Sequence, residues 1–193
     1  MKPEDVVQTF RDAGALLEGH FVYTSGRHGR HFLQAARVLQ YPERVEALCR
    51  AVADLWRDAG VQLVVGPATG GILLAYETAR QLGCRGVFVE KEGGGMALKR
   101  GFHLARGTRV LVVEDVITTG GSVRKAVAHL RERGADIVGV SVLIDRSGGE
   151  ATFDCPYRPL ATFELESYAP DDPRVAELPG DPVDPDDIAI AAE

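Results

Sequence analysis

Glu114 and Asp115 stand together after an apolar run, Val110-Leu111-Val112-Val113, and just before Thr118-Thr119-Gly120-Gly121-Ser122. Small residues with free backbone N–H groups, placed where a helix opens, form a cradle for phosphate. Carboxylates beside such a cradle would repel a phosphate, so they need another partner. Neighbouring sugar hydroxyls are one, because a carboxylate accepts from two O–H groups; a metal ion is another. A ribose 5-phosphate satisfies both halves, with its diol on Glu114 and Asp115 and its phosphate on Thr118 to Ser122. No Gly-Lys-Ser/Thr follows the run, which excludes a Walker A loop, and no Gly-x-Gly-x-x-Gly occupies the turn. The bland alternative is a strand–turn–helix with a polar loop.

These groups need a scaffold. Val110–Val113 reads as a buried parallel strand, with a helix from Val123 to Arg133 behind the loop. Val61 to Val65 reads as another strand, running into Gly66-Pro67-Ala68-Thr69-Gly70-Gly71 and a helix over Ile72 to Leu82. Two loops of small residues at the ends of two strands can hold two phosphate groups of one ligand, since small side chains allow close backbone approach. Gly86 to Glu90 and Ile137 to Ile144 complete the strands, the last ending in Asp145-Arg146. This alternation implies a doubly wound parallel sheet with its site at the carboxyl ends.

Ahead of the sheet, Val6, Val7, Phe10 and Ala13 define a helix from Pro3 to about Gly14. Phe21–Tyr23 and His31–Gln34 suggest a hairpin about Ser25-Gly26. A helix from Pro42 places Val45, Leu48, Cys49, Val52, Leu55 and Trp56 on one face and stops at Gly60. Lys91-Glu92-Gly93-Gly94-Gly95, continuing to His103, reads as a flexible hairpin tip or mobile lid with basic edges, because consecutive glycines carry the largest backbone entropy. A short strand over Leu160 to Leu165, a helix over Asp171 to Leu178 and a loosely ordered acidic tail after Pro179 close the chain.

The 193 residues suit one domain, and a net charge of −6 disfavours nucleic acid as a partner. No apolar stretch approaches the ~20 residues that span a bilayer, and no secretory signal is visible, so no membrane partner is expected. Cys49, Cys84 and Cys155, odd in number and widely spaced, suit buried thiols in a reducing cytoplasm.

Glu114-Asp115-Val116-Ile117-Thr118-Thr119-Gly120-Gly121-Ser122 resembles the phosphoribosyl diphosphate signature of type I phosphoribosyltransferases. The stretch from Gly14 and the pair Asp145-Arg146 resemble the orotate-specific members. The resemblance implies the family's α/β fold, a parallel sheet flanked by helices on both faces, as a single domain over 1–193. A small hood would come mainly from about 14–40 and a lid from about 91–102. It implies transfer of phosphoribosyl to orotate, with Lys91, Glu114 and Asp115 catalytic. Phosphoribosyl diphosphate would lie on Lys91, Glu114 to Ser122 (Val116 and Ile117 included), Thr69 and Gly70. Thr118 and Arg146 would hold orotate, Arg146 through its carboxylate. It further implies Mg²⁺ carried mainly by the substrate, a cytoplasmic location, and a homodimer whose lid acts across the interface. Lys99, Arg100 and His103 are the candidates for further lid cations.

Two departures stand out. Thr24 occupies the place of the usual hood lysine, and the lid interior lacks the family's further Lys and His at their usual positions. Without the family, Arg27, His28 and Arg30 read as a solvated charged turn and Asp145-Arg146 as a surface ion pair. The alternatives are a phosphoribosyltransferase for a purine or another base, and a regulator that senses phosphoribosyl diphosphate.

Overall fold

A computed structural model describes residues 1–23 and 25–184. Helix α1 (Pro3–Asp12) precedes an antiparallel hairpin of β1 (Leu16–Val22) and β2 (His28–Leu33). A four-residue helix α2 (Ala36–Leu39), with no counterpart in the sequence reading, leads into α3 (Pro42–Trp56). Then come β3 (Leu63–Pro67), α4 (Gly70–Leu82), β4 (Arg85–Glu92), β5 (Gly95–Ala97) and β6 (Arg109–Ile117). Helix α5 (Gly121–Glu132), β7 (Asp136–Asp145) and β8 (Tyr157–Thr162) follow.

The main sheet has the order β5-β4-β3-β6-β7-β8, parallel except for β5. Its strands are continuous apolar runs because helices cover both faces. Val64, Leu111 and Val113 face the layer of α1, α3 and α4; Leu63, Val65, Val110 and Val112 face α5. The period-two alternation thus splits each strand between two cores.

Several boundaries differ from expectation. Strand β6 continues through Ile117, so Glu114 and Asp115 lie on the strand rather than after it. Pairing of Val116 with Ile144 and Ile117 with Asp145 keeps it extended. Leu55, expected on the buried face of α3, is 38% exposed, whereas Trp56 is buried. The helix expected over Asp171 to Leu178 is a five-residue 3₁₀ turn, Pro173–Glu177. The strand expected from Leu160 to Leu165 begins earlier, at Tyr157.

The hairpin forms a hood beside the carboxyl end of the sheet. His28 and Tyr168 exchange two backbone hydrogen bonds, at 2.9 and 2.7 Å. Val183 is tied by its N–H to His20 O and by its carbonyl to Val22 N, so the acidic tail is pinned at least to that point. The hood's basic residues are engaged rather than freely solvated. Arg30 pairs with Glu18, Arg27 Nε donates to Ser167 Oγ at 2.9 Å, and His28 meets His20 ring to ring. Thr24 lies outside the described residues.

The glycine run is a tight turn in a paired hairpin. Gly93 and Gly94, at φ 53° and 79°, reverse the chain, and Gly95 begins β5 opposite Glu92. Met96, Ala97 and Leu98 are buried, which anchors the outgoing strand.

Candidate active site

The carboxyl ends of β3 and β6 and the two loops behind them enclose a cavity of about 260 Å³, lined by 68–70, Lys91 and 114–123. This one cavity gathers the residues expected to hold phosphoribosyl diphosphate from three elements. The loop after β3 carries a cis peptide between Ala68 and Thr69. The loop after β6 turns into α5 at Gly120, which holds φ 72°, a conformation that side-chain-bearing residues rarely adopt. Among the described residues, none accepts from the N–H groups of Thr118, Thr119 or Gly120. They are therefore open to an anion, with the positive end of α5 behind them.

Glu114 and Asp115 line the cavity. Backbone N–H groups face both: Asp115 N donates to Glu114 Oε1 at 3.2 Å and Val116 N to Asp115 Oδ1 at 2.6 Å. Burial raises the pKa of both carboxyls. The neighbouring Asp115 charge adds to burial at Glu114 and pushes it up to about 8. Burial and the nearness of the two carboxyls favour a proton held within the dyad, which can then both donate to and accept from a diol.

Arg146 follows β7 and is tied back to the site by its N–H, which donates to Ile117 O at 2.8 Å. It does not pair with Asp145, whose Oδ1 instead accepts from Ser147 N at 2.7 Å. The Arg146 guanidinium lies 5.8 Å from the ring centroid of Tyr23, on the hood, and its Nε is buried without a hydrogen-bond partner among the described residues. Burial lowers its pKa, opposed by the Tyr23 phenol. A buried guanidinium N–H without an acceptor is costly, and a planar carboxylate is the ligand that matches its fork. Nothing in the sequence marked Tyr23 as Arg146's neighbour, because the contact joins hood to sheet across more than a hundred residues.

The candidate lid cations are arranged unequally. Lys91 lines the cavity. Lys99 Nζ lies 2.7 Å from Glu92, and Arg100 Nη2 lies 2.8 Å from Glu90. The His103 carbonyl accepts from Arg85, and its ring does not line the cavity. For Mg²⁺, two carboxylates offer hard oxygen donors, which suits an ion that otherwise relies on substrate phosphates and water.

A phosphoribosyl transferase domain matches residues 34–164. The chain belongs to the phosphoribosyltransferase family. It is 48% identical to the orotate phosphoribosyltransferase of Caldicellulosiruptor saccharolyticus, over 89% of this chain and 90% of that one. To the orotate phosphoribosyltransferase of Methylorubrum populi it is 44% identical over 98% of each. The solved orotate phosphoribosyltransferase of Aeropyrum pernix superimposes with a TM-score of 0.69 at 29% identity, covering 82% of this chain and 93% of that one.

Proposed function

We propose that the protein transfers the 5-phosphoribosyl group of 5-phospho-α-D-ribose 1-diphosphate to orotate, giving orotidine 5′-monophosphate and diphosphate, a step of UMP synthesis. The carrying observation is Arg146: its Nε is buried without an acceptor among the described residues, its guanidinium faces Tyr23 of the hood, and its backbone N–H is tied to Ile117 at the end of β6. The curated relatives named above carry the same activity in their names.

The residues divide the work. The N–H groups of Thr118 to Ser122 take the 5-phosphate, and Glu114 and Asp115 take the ribose diol. Thr69, Gly70 and Lys91, which line the same cavity, take the diphosphate. Arg146 and Thr118 orient orotate so that N1 faces C1. A bond forms from N1 to C1 while the C1–O bond breaks; its electron pair leaves on the diphosphate, and the proton that N1 gives up passes to the departing diphosphate. The ribose passes through an oxocarbenium-like state, which the charge of Asp115 stabilises from below. Orotate is itself the nucleophile, so the protein contributes position and field rather than a covalent intermediate. Mg²⁺, held mainly by the substrate's oxygens with the dyad nearby, would offset the charge growing on the leaving group.

The active form in this reading is a homodimer in the cytoplasm, with the β4–β5 hairpin acting on the partner's site. Exposed Leu73 and Tyr76, three apart on α4, are the kind of apolar surface a second copy would cover, and three free thiols suit a reducing compartment. Diphosphate release with phosphoribosyl diphosphate, Mg²⁺ and one of orotate, hypoxanthine or adenine tests the assignment. Orotate alone should support turnover; equal use of a purine would reject the role of Arg146.

A further inference from the structure

The cations around the catalytic cavity differ in whether a counter-charge already meets them. Lys99 and Arg100 are neutralised by Glu92 and Glu90. Arg124, in the first turn of α5, spends its guanidinium on Thr119 O. Lys91 and Lys125 make no ion pair or side-chain hydrogen bond with a described residue. Both line a second cavity, of about 390 Å³, between the Gly93–Gly95 turn and the first turn of α5. Lys91 and Ser122 line this cavity and the catalytic one alike, so the two meet at those residues.

Lys125 sits three residues beyond Ser122 and so shares its face of α5. Glu92 lines the same cavity but is already paired with Lys99, so neither the Lys91 nor the Lys125 ammonium has a counter-charge there and an arriving anion would supply one. The anion cradle at Thr118 to Ser122 lines the catalytic cavity and reaches the second one at its last residue, Ser122. A phosphate monoester brings close to two negative charges. The helix end facing it supplies the equivalent of roughly half a positive charge, which leaves most of that charge unmatched.

We propose that Lys125 is a binding residue for the 5-phosphate of the pentose ligands, closing on it from the outer side of the cradle while Lys91 lies toward the diphosphate. The inference rests on the ribose-phosphate reading of the site and extends it: the specificity of this chain for 5-phosphorylated ligands would depend on a residue outside the nine-residue signature. Lys99 and Arg100, expected from the sequence as lid cations toward the diphosphate, have no part in this 5-phosphate contact.

The test is calorimetric titration of ribose 5-phosphate and of orotidine 5′-monophosphate into the full-length protein and its Lys125→Gln and Lys125→Arg variants, at low and high salt. Lys125→Gln should weaken both ligands about fivefold at low salt, the scale of one solvent-exposed ionic contact. The loss should shrink at high salt, Lys125→Arg should restore most of it, and the KM for orotate should stay as in the wild type. Wild-type binding with an unmoved Lys125→Gln variant would overturn the role of Lys125 alone. Wild-type protein indifferent to ribose 5-phosphate would overturn the ribose-phosphate reading and, with it, this inference. Equal weakening toward orotate would also overturn the proposal, since it would mean that Lys125 acts through the structure of the whole site.

Discussion

A methyl group placed on Gly70 would stand 2.1 Å from Oδ2 of Asp115. The first helical residue after the β3 loop is thus the wall against which the carboxylate of β6 rests, and the two loops of small residues are parts of one surface. Gly70→Ala must displace Asp115 or the loop. A shift of about 1 Å in a positioning group can cost about 100-fold in rate. We expect the variant to lose kcat/KM for phosphoribosyl diphosphate by one to two orders of magnitude, roughly the same scale, while its circular dichroism spectrum is retained. Wild-type kinetics would show that Asp115 is not held by this contact.

The carboxylate dyad should make stability depend on pH. Glu114 is raised from 4.5 to about 8 by burial and by the Asp115 charge. Between those values the folded protein keeps a proton that the unfolded chain has lost. Stability attributable to this group therefore falls as pH rises through that window and levels off above it. Glu114→Gln removes the titration. Its melting temperature relative to the wild type should be higher at pH 9 than at pH 5, by about 2–4 °C for each kcal/mol of relieved penalty. The same substitution should lower turnover, because the diol loses a partner. A melting difference that is identical at both pH values would exclude the raised pKa.

The sheet was legible because burial on both faces leaves an unambiguous trace: Val61 to Val65, Val110 to Val113 and Ile137 to Ile144 are apolar at nearly every position. The phosphate cradle was legible because its chemistry is local, with Thr118 to Ser122 contiguous in the chain. What the sequence hid depends on distant pairing. The extension of β6 through Glu114 and Asp115 requires β7 beside it. The hairpin in the glycine run requires β4 to continue past Glu90. The neutralisation of Lys99 and Arg100 follows from that hairpin's register, and the meeting of Tyr23 with Arg146 from the hood's placement. No periodicity in the chain carries those relations.

Arg146→Ala should weaken orotate by ~2 kcal/mol or more, about 30-fold, as expected when a carboxylate loses a charged, two-pronged donor. Arg146→Lys should recover little, since an ammonium offers a point charge rather than a planar fork. Phosphoribosyl diphosphate contacts other residues, so its KM should move much less. Steady-state KM values for the two substrates separate these outcomes. An unchanged orotate KM would remove Arg146 from the base site.

His129, in the last turn of α5, holds the exit of the β4–β5 hairpin. Its Nε2 accepts from the N–H of buried Leu98 at 3.0 Å, and Arg133 approaches the Leu98 carbonyl at 3.5 Å. One helix therefore cradles phosphate at its start and fixes the hairpin near its end. That link sets where Lys91 stands relative to the phosphate, through the Lys91–Met96 pairing. His129→Leu leaves a buried N–H without an acceptor, at a cost of about 1–3 kcal/mol. The expected results are a lower melting temperature, faster deuterium exchange at Leu98 and a reduced kcat. His129→Gln, which can present an oxygen to the same N–H, should recover part of each. If Leu98 exchanges at the wild-type rate in His129→Leu, the hairpin is held by the packing of Met96 and Leu98 alone, and the hydrogen bond is dispensable.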